Sequence, residues 1–187
     1  MTDRLITGRD GGDSVPDRTV RVWDPFVRVF HWSQAALIAL AWVTADGVKW
    51  VHEWSGYLVA ALIRLRVRWG VLVPGDARVA DFVRGPRAVI AYLGDLLHGR
   101  ERRFLGHNPA GGAMIVMLLT VTAATALTGW LQTTDAFWGS QRMEDLHESL
   151  AILILVLVAF HVGGVIFESR RHGENLVRSM ITGMKRR

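Results

Sequence analysis

Histidine is the side chain that most readily binds a metal or carries a proton near neutral pH. Two of the seven histidines in this 187-residue chain share one apolar stretch, MEDLHESLAILILVLVAFHVGGVIFESR, which runs from Met143 to Arg170. They are His147 and His161. At about 100° per residue their separation is roughly 40° short of four helical turns, so both rings leave one helix face, about 21 Å apart along the axis. One helix with two in-line histidines at opposite depths suggests two stacked metal centres, provided that other elements supply partners.

The elements that position these residues follow from hydropathy and charge. Half of the residues are hydrophobic. The charged residues cluster outside four apolar segments, at about 26–45, 51–70, 109–131 and 145–168, the pattern of a polytopic membrane protein. Of the 22 Lys and Arg, 20 fall before or within the start of the first span, between Arg64 and Arg103, or after Glu168, and only Lys49 and Arg142 fall in the other two connections. By the positive-inside rule both termini and the middle loop face the cytoplasm. This distribution also removes nucleic acid as the reason for the net charge of +5. Residues 1–20 read as a flexible polar arm without the apolar core of a signal peptide, so the first span is expected to be its own insertion signal. Residues 21–187 read as a single membrane domain: an all-α, integral membrane four-helix bundle.

Caps and interface residues agree with this layout. Asp24-Pro25 and Asn108-Pro109 are each a cap followed by a proline at the first helical position. Trp50, Trp54, Trp130 and Trp138 mark the outer boundary, and Trp23 and Trp69 the inner one. Arg64, Arg66 and Arg68 alternate at the end of span two, but a lone strand cannot cross a bilayer, so a helix whose arginines reach the inner interface is expected. Pro86 to Gly99 has apolar residues at helical spacing and is expected to lie on the membrane surface. The tail NLVRSMITGMK is expected to continue as a short amphipathic helix.

Depth now pairs the histidines. His31 lies one to two turns into span one from the inner side and His161 about two turns from the inner end of span four, while His52 and His147 open spans two and four on the outer side. The inner pair is therefore His31 with His161 and the outer pair His52 with His147. Two imidazoles per site, with no cysteine in the chain, make a poor zinc site. They suit haem, whose macrocycle supplies four nitrogens and whose iron takes two axial imidazoles; the missing cysteines exclude c-type attachment. Gly56, Gly163 and Gly164 leave room near the ligands. Haem propionates need cations. Arg64, about 12 residues after His52 and hence about 18 Å deeper, is one candidate; Arg28 is another, with ordinary snorkelling at the interface as the competing reading. His107, at the inner mouth of span three beside Asn108, either caps the helix or binds a quinone headgroup. His98 and His172 read as exposed.

The segments VWDPFVRVFHW (Val22 to Trp32), HEWSGY (His52 to Tyr57), GHNPAGG (Gly106 to Gly112), LTGWL (Leu127 to Leu131), HES and FHVGG in the last span, and SMITGMK in the tail resemble the bacterial cytochrome b561 family. The likeness is close to the b-type cytochrome subunits of nickel-iron hydrogenases. It implies two haem b groups with His31, His52, His147 and His161 as axial ligands, in the bacterial inner membrane. It implies electron transfer between the quinone pool and a periplasmic redox partner, a c-type cytochrome or a hydrogenase. No catalytic residue is expected, since the iron has no open position. The two outer connections are shorter than a hydrogenase-docking surface implies. The alternatives are a superoxide:quinone oxidoreductase of the same fold and a haem-free anchor or proton relay.

Overall fold

A computed structural model describes residues 19–72, 83–102, 104 and 106–186. The expected flexible arm lies outside the described residues except for Thr19 and Val20, and so do residues 73–82 of the middle loop.

Helix α1 spans Pro25–Thr44 and begins where Asp24 Oδ1 accepts hydrogen bonds from the backbone N–H groups of Phe26 (2.8 Å) and Val27 (3.3 Å). Pro25 at the first helical position needs no such partner. A short connection, 45–48, leads into α2, Lys49–Leu72, and so short a link makes the two helices antiparallel neighbours. The alternating arginines sit on this helix, not on a strand. Helix α3, Pro86–Leu97, buries Tyr92 and leaves Ile90 and Leu97 exposed. Helix α4, Pro109–Gln132, is capped by Asn108 Oδ1, which accepts from Gly111 N at 2.7 Å. Helix α5, Gln141–Arg171, is the longest, at 31 residues.

Helix α1 lies on α2, α2 on α4 and α4 on α5, with α3 against α4. Few residues are buried: Phe30 on α1, Val59 and Ile63 on α2, and Ile154 and Leu157 on α5 are the main apolar ones. Large apolar side chains such as Val43, Leu65 and Phe160 point outward, as lipid-facing positions do. Among the described residues three helices, α1, α4 and α5, are long and apolar enough to cross a membrane. In α2 the arginines at 64, 66 and 68 dilute the apolar character of a helix of 24 residues.

The tail departs from the expected helix. Helix α6 covers Leu176–Thr182 and stops at Gly183, which takes a left-handed conformation with φ +83°, a conformation that suits glycine as a helix terminator. The chain then forms strand β2, Met184–Arg186, antiparallel to β1, Thr19–Arg21, with Val20 opposite Lys185. The Gly183 carbonyl accepts from the N–H groups of Val22 (2.9 Å) and Trp23 (3.2 Å). The two ends of the domain are thus tied together beside the start of α1.

Candidate functional site

The four span histidines meet in two pairs. The His52 and His147 rings have centroids 6.0 Å apart at an interplanar angle of 77°. The His31 and His161 rings have centroids 6.2 Å apart at 52°. An imidazole nitrogen bonds a transition metal at about 2 Å and lies about 1.1 Å from its own ring centroid, so two rings on opposite sides of one iron have centroids about 6 Å apart. Both pairs match that spacing.

Hydrogen bonds fix the tautomer of the first pair. His52 Nδ1 lies 2.8 Å from the Ala41 carbonyl oxygen, and His147 Nδ1 lies 3.0 Å from the Thr125 carbonyl oxygen and 3.1 Å from Thr128 Oγ1. A carbonyl only accepts, so each Nδ1 carries the proton and each Nε2 keeps its lone pair for a metal. Thr128 Oγ1 itself donates to the Thr125 carbonyl oxygen at 2.9 Å. Gly129 lets α4 come close to this ring: a Cβ there would lie 3.0 Å from His147 Cε1. In the second pair, His31 Nδ1 is buried and meets no hydrogen-bond partner among the described residues. A buried ring nitrogen without a protein partner is what a site for a further group leaves behind. A Cβ on Gly56, Gly163 or Gly164 would meet nothing within 4 Å, so these positions are open. No group of three or more His, Cys, Asp or Glu gathers to hold a metal ion among the described residues. Each histidine pair offers two imidazoles, enough to fill both axial positions of one haem iron.

Around the inner mouth the structure redistributes the roles expected of single residues. Arg28 Nη1 donates to the Ile181 carbonyl oxygen, while its Nε is buried without a hydrogen-bond partner among the described residues. Arg64 is exposed. The buried arginine of the trio is Arg66, 4% exposed, on the face that also buries Ser55, Val59, Ile63 and Gly70. Arg66 stands as far beyond His52 as His161 stands beyond His147. Arg64 falls short of that interval and points about 120° away from the histidine face.

Asn108 does not present a free amide. Its Oδ1 caps α4, and its Nδ2 donates to Glu168 Oε1 (2.7 Å) and to the Tyr92 hydroxyl oxygen (2.9 Å). Tyr92 in turn donates to Glu168 Oε1 at 2.7 Å, and Glu168 Oε2 lies 3.0 Å from His172 Nε2. Burial first, and then the Glu168 carboxylate, raise the Tyr92 pKa, so the phenol keeps its proton. This network clamps α3 and α4 to the end of α5, and it engages His172, which is half-buried and not exposed as its basic segment suggests. His107 packs against Trp23 at 4.6 Å between ring centroids. Burial, with the positive charges of Lys185 and Arg66 adding to it, lowers its pKa to about 4. His107 is therefore neutral at pH 7 and keeps one donor and one acceptor nitrogen.

Paired imidazoles on membrane-type helices, without a cysteine for covalent attachment, define the b-type class of cytochromes. The family model of prokaryotic cytochrome b561 matches residues 22–183, and the chain belongs to that family. It is a membrane b-type cytochrome of electron transport, and its cofactor is haem b. The chain is similar to the probable Ni/Fe-hydrogenase B-type cytochrome subunit of Rhodobacter capsulatus, at 22% identity over 94% of this chain and 85% of the relative. It is similar to the protein of the same name in Rhizobium leguminosarum bv. viciae, at 21% identity over 97% of this chain and 95% of that one. The first alignment runs over 233 residues against a chain of 187, so that relative carries inserted segments that this chain lacks. No solved structure matches.

Proposed function

We propose that this protein is a four-span, dihaem b-type cytochrome of the bacterial inner membrane, with cytoplasmic termini. It moves electrons between the quinone pool and a periplasmic redox partner, a c-type cytochrome or a hydrogenase. The observation that carries this reading is the pair of histidine couples at 6.0 and 6.2 Å, held at two levels of α5 by His147 and His161. Iron between two imidazoles supplies one-electron transfer without an open position for substrate. His52 with His147 holds the outer group and His31 with His161 the inner one. The backbone acceptors Ala41 and Thr125 hold the outer rings in the ligating tautomer. About 21 Å of helix separates the two levels.

At the inner mouth, neutral His107 has the donor and acceptor needed by a quinone carbonyl or a quinol hydroxyl. Asn108 positions the turn that carries His107. The hydrogenase part of the reading draws on the names of the two relatives; the short outer connections, 45–48 and 133–140, offer less surface for docking and favour a small c-type partner.

The test is spectroscopic. A dithionite-reduced minus oxidised spectrum of the purified protein is expected to show a b-type α-band, and a pyridine haemochrome assay about two haems per chain. His147→Leu and His161→Leu are each expected to leave about one. A protein without the α-band, or with one haem that survives either substitution, overturns the dihaem reading. Absence of haem reduction by a short-chain quinol in membrane vesicles overturns the quinone part alone.

A further inference from the structure

We propose that Gln34 on α1 is a positioning residue for His31: its Oε1 accepts the Nδ1–H of that ring and so holds Nε2 toward the inner haem iron. This inference rests on the dihaem reading above and adds a residue to its inner site.

The outer pair sets the pattern. Each of its rings has an acceptor for Nδ1–H, the Ala41 carbonyl oxygen at 2.8 Å for His52 and the Thr125 carbonyl oxygen at 3.0 Å for His147. A metal-ligating imidazole almost always donates its other ring N–H, because that bond fixes the tautomer and makes the ligating nitrogen more basic. His31 lacks this bond. Its Nδ1 is buried and meets no hydrogen-bond partner among the described residues. The ring packs edge-on against Trp32, with centroids 5.0 Å apart, and an indole offers a donor but no acceptor. With Nε2 turned to the iron, as in the outer pair, Nδ1–H points away from the iron and needs an acceptor.

An acceptor without a donor stands one turn away. Gln34 is 8% exposed, and its Oε1 is buried without a partner among the described residues. Among those residues it is the one buried side-chain oxygen so placed; the other three such atoms are nitrogens, of Arg28, His31 and Trp69. Gln34 and Phe30 are the buried residues of α1, and Gln34 falls between Phe30 and His31 around the helix. Positions three apart on a helix are neighbours, with Cβ atoms about 5–6 Å apart. A glutamine in an apolar helix is costly to bury unless its amide is hydrogen-bonded. His31 Nδ1–H and Gln34 Oε1 are complementary, so one bond satisfies both. Adjustment of the glutamine side-chain torsions, with a turn of the imidazole about Cβ–Cγ, makes it. A side-chain amide on α1 then does for His31 what backbone carbonyls do for the outer rings.

The experiment measures the two haem midpoint potentials and the low-spin ferric EPR signals of the purified full-length protein, with His161→Leu used to assign the inner haem. An acceptor on Nδ1–H strengthens electron donation to the iron and favours the ferric form. Gln34→Met keeps a side chain of similar size and flexibility without the amide oxygen. It is expected to raise the inner potential by about 59 mV, a roughly tenfold change in the one-electron reduction equilibrium, and to shift the inner EPR signal while the outer potential stays unchanged. Gln34→Asn, one methylene short of the ring, is expected to raise the inner potential too. Gln34→Glu, which keeps an oxygen acceptor at the same reach, is expected to hold it at the wild-type value or below. An inner potential unmoved or lowered by Gln34→Met overturns the proposal. So does a rise in Gln34→Glu as large as that in Gln34→Met, since altered packing would then account for both. If Gln34→Met loses the inner haem or fails to accumulate, Gln34→Asn decides: a raised inner potential supports the assignment, and an unshifted or lowered one overturns it. A silent Gln34→Met in a protein whose wild type holds two haems removes this inference alone. A wild-type protein without b-type haem removes the reading beneath it.

Discussion

Gly129 and His147 are in contact across the α4–α5 interface, such that a Cβ on Gly129 would stand 3.0 Å from His147 Cε1 and 3.4 Å from Nδ1. The ring cannot retreat freely, because its Nδ1 is held by the Thr125 carbonyl oxygen at 3.0 Å. Gly129→Val is therefore expected to displace the ring and, on the dihaem reading proposed above, to lower haem content by about one per chain. Gly129→Ala is expected to retain haem with an altered outer α-band. Pyridine haemochrome and low-temperature difference spectra measure both outcomes.

Glu168 holds Tyr92, Asn108 and His172 at once. Glu168→Ala strips acceptors from a buried phenol and a capping amide, and it is expected to cost about 2–4 kcal/mol, against about 1 kcal/mol for Tyr92→Phe. Thermal denaturation of the detergent-solubilised protein would rank the two. Faster tryptic cleavage at Arg87 or Arg100 in Glu168→Ala would report that α3 has come undocked.

His107 makes stability depend on pH. Its folded pKa, about 4, lies below the ordinary 6.5 because burial, with nearby positive charge, disfavours the imidazolium. Between those values the unfolded chain binds the proton and the folded one does not, so stability is full above pH 6.5 and falls as the pH drops toward 4. The loss has an upper bound on the order of 3 kcal/mol. His107→Gln is expected to flatten the dependence of the melting temperature across that window; an unchanged slope would assign the effect to other groups.

Gly183 is the hinge of the terminal tie, with φ +83° and with Trp23 O 3.1 Å from where a Cβ would stand. Gly183→Ala imposes both a left-handed penalty and a close contact, and is expected to destabilise the protein by about 2 kcal/mol. Gly47→Ala, where a Cβ meets nothing within 4 Å, is the matched control and is expected to be neutral. Melting temperatures of the two variants, read side by side, check this.

Much of the helical layout was legible in the sequence. Apolar length and basic asymmetry placed the helices, and a near-integral number of turns put His147 and His161 on one face, because helical periodicity is a local property of the chain. The same interval separates His52 from Arg66, which is the buried arginine of the trio, while Arg64 is exposed.

Other features have no local signal. The Tyr92–Asn108–Glu168 network joins residues 16 and 60 positions apart, and the Arg28–Ile181 bond spans 153. The tail reads as helix through Lys185 on propensity, yet Gly183 turns it and pairing with β1 supplies the hydrogen bonds that a helix would have formed internally. Sequence alone determined the helices and the shared face of His147 and His161, since hydropathy and period act within each segment. Only the tertiary structure decided which arginine is buried, how Asn108 spends its amide and how the two ends of the domain close, because each depends on which distant segments share the limited space around the inner histidine pair.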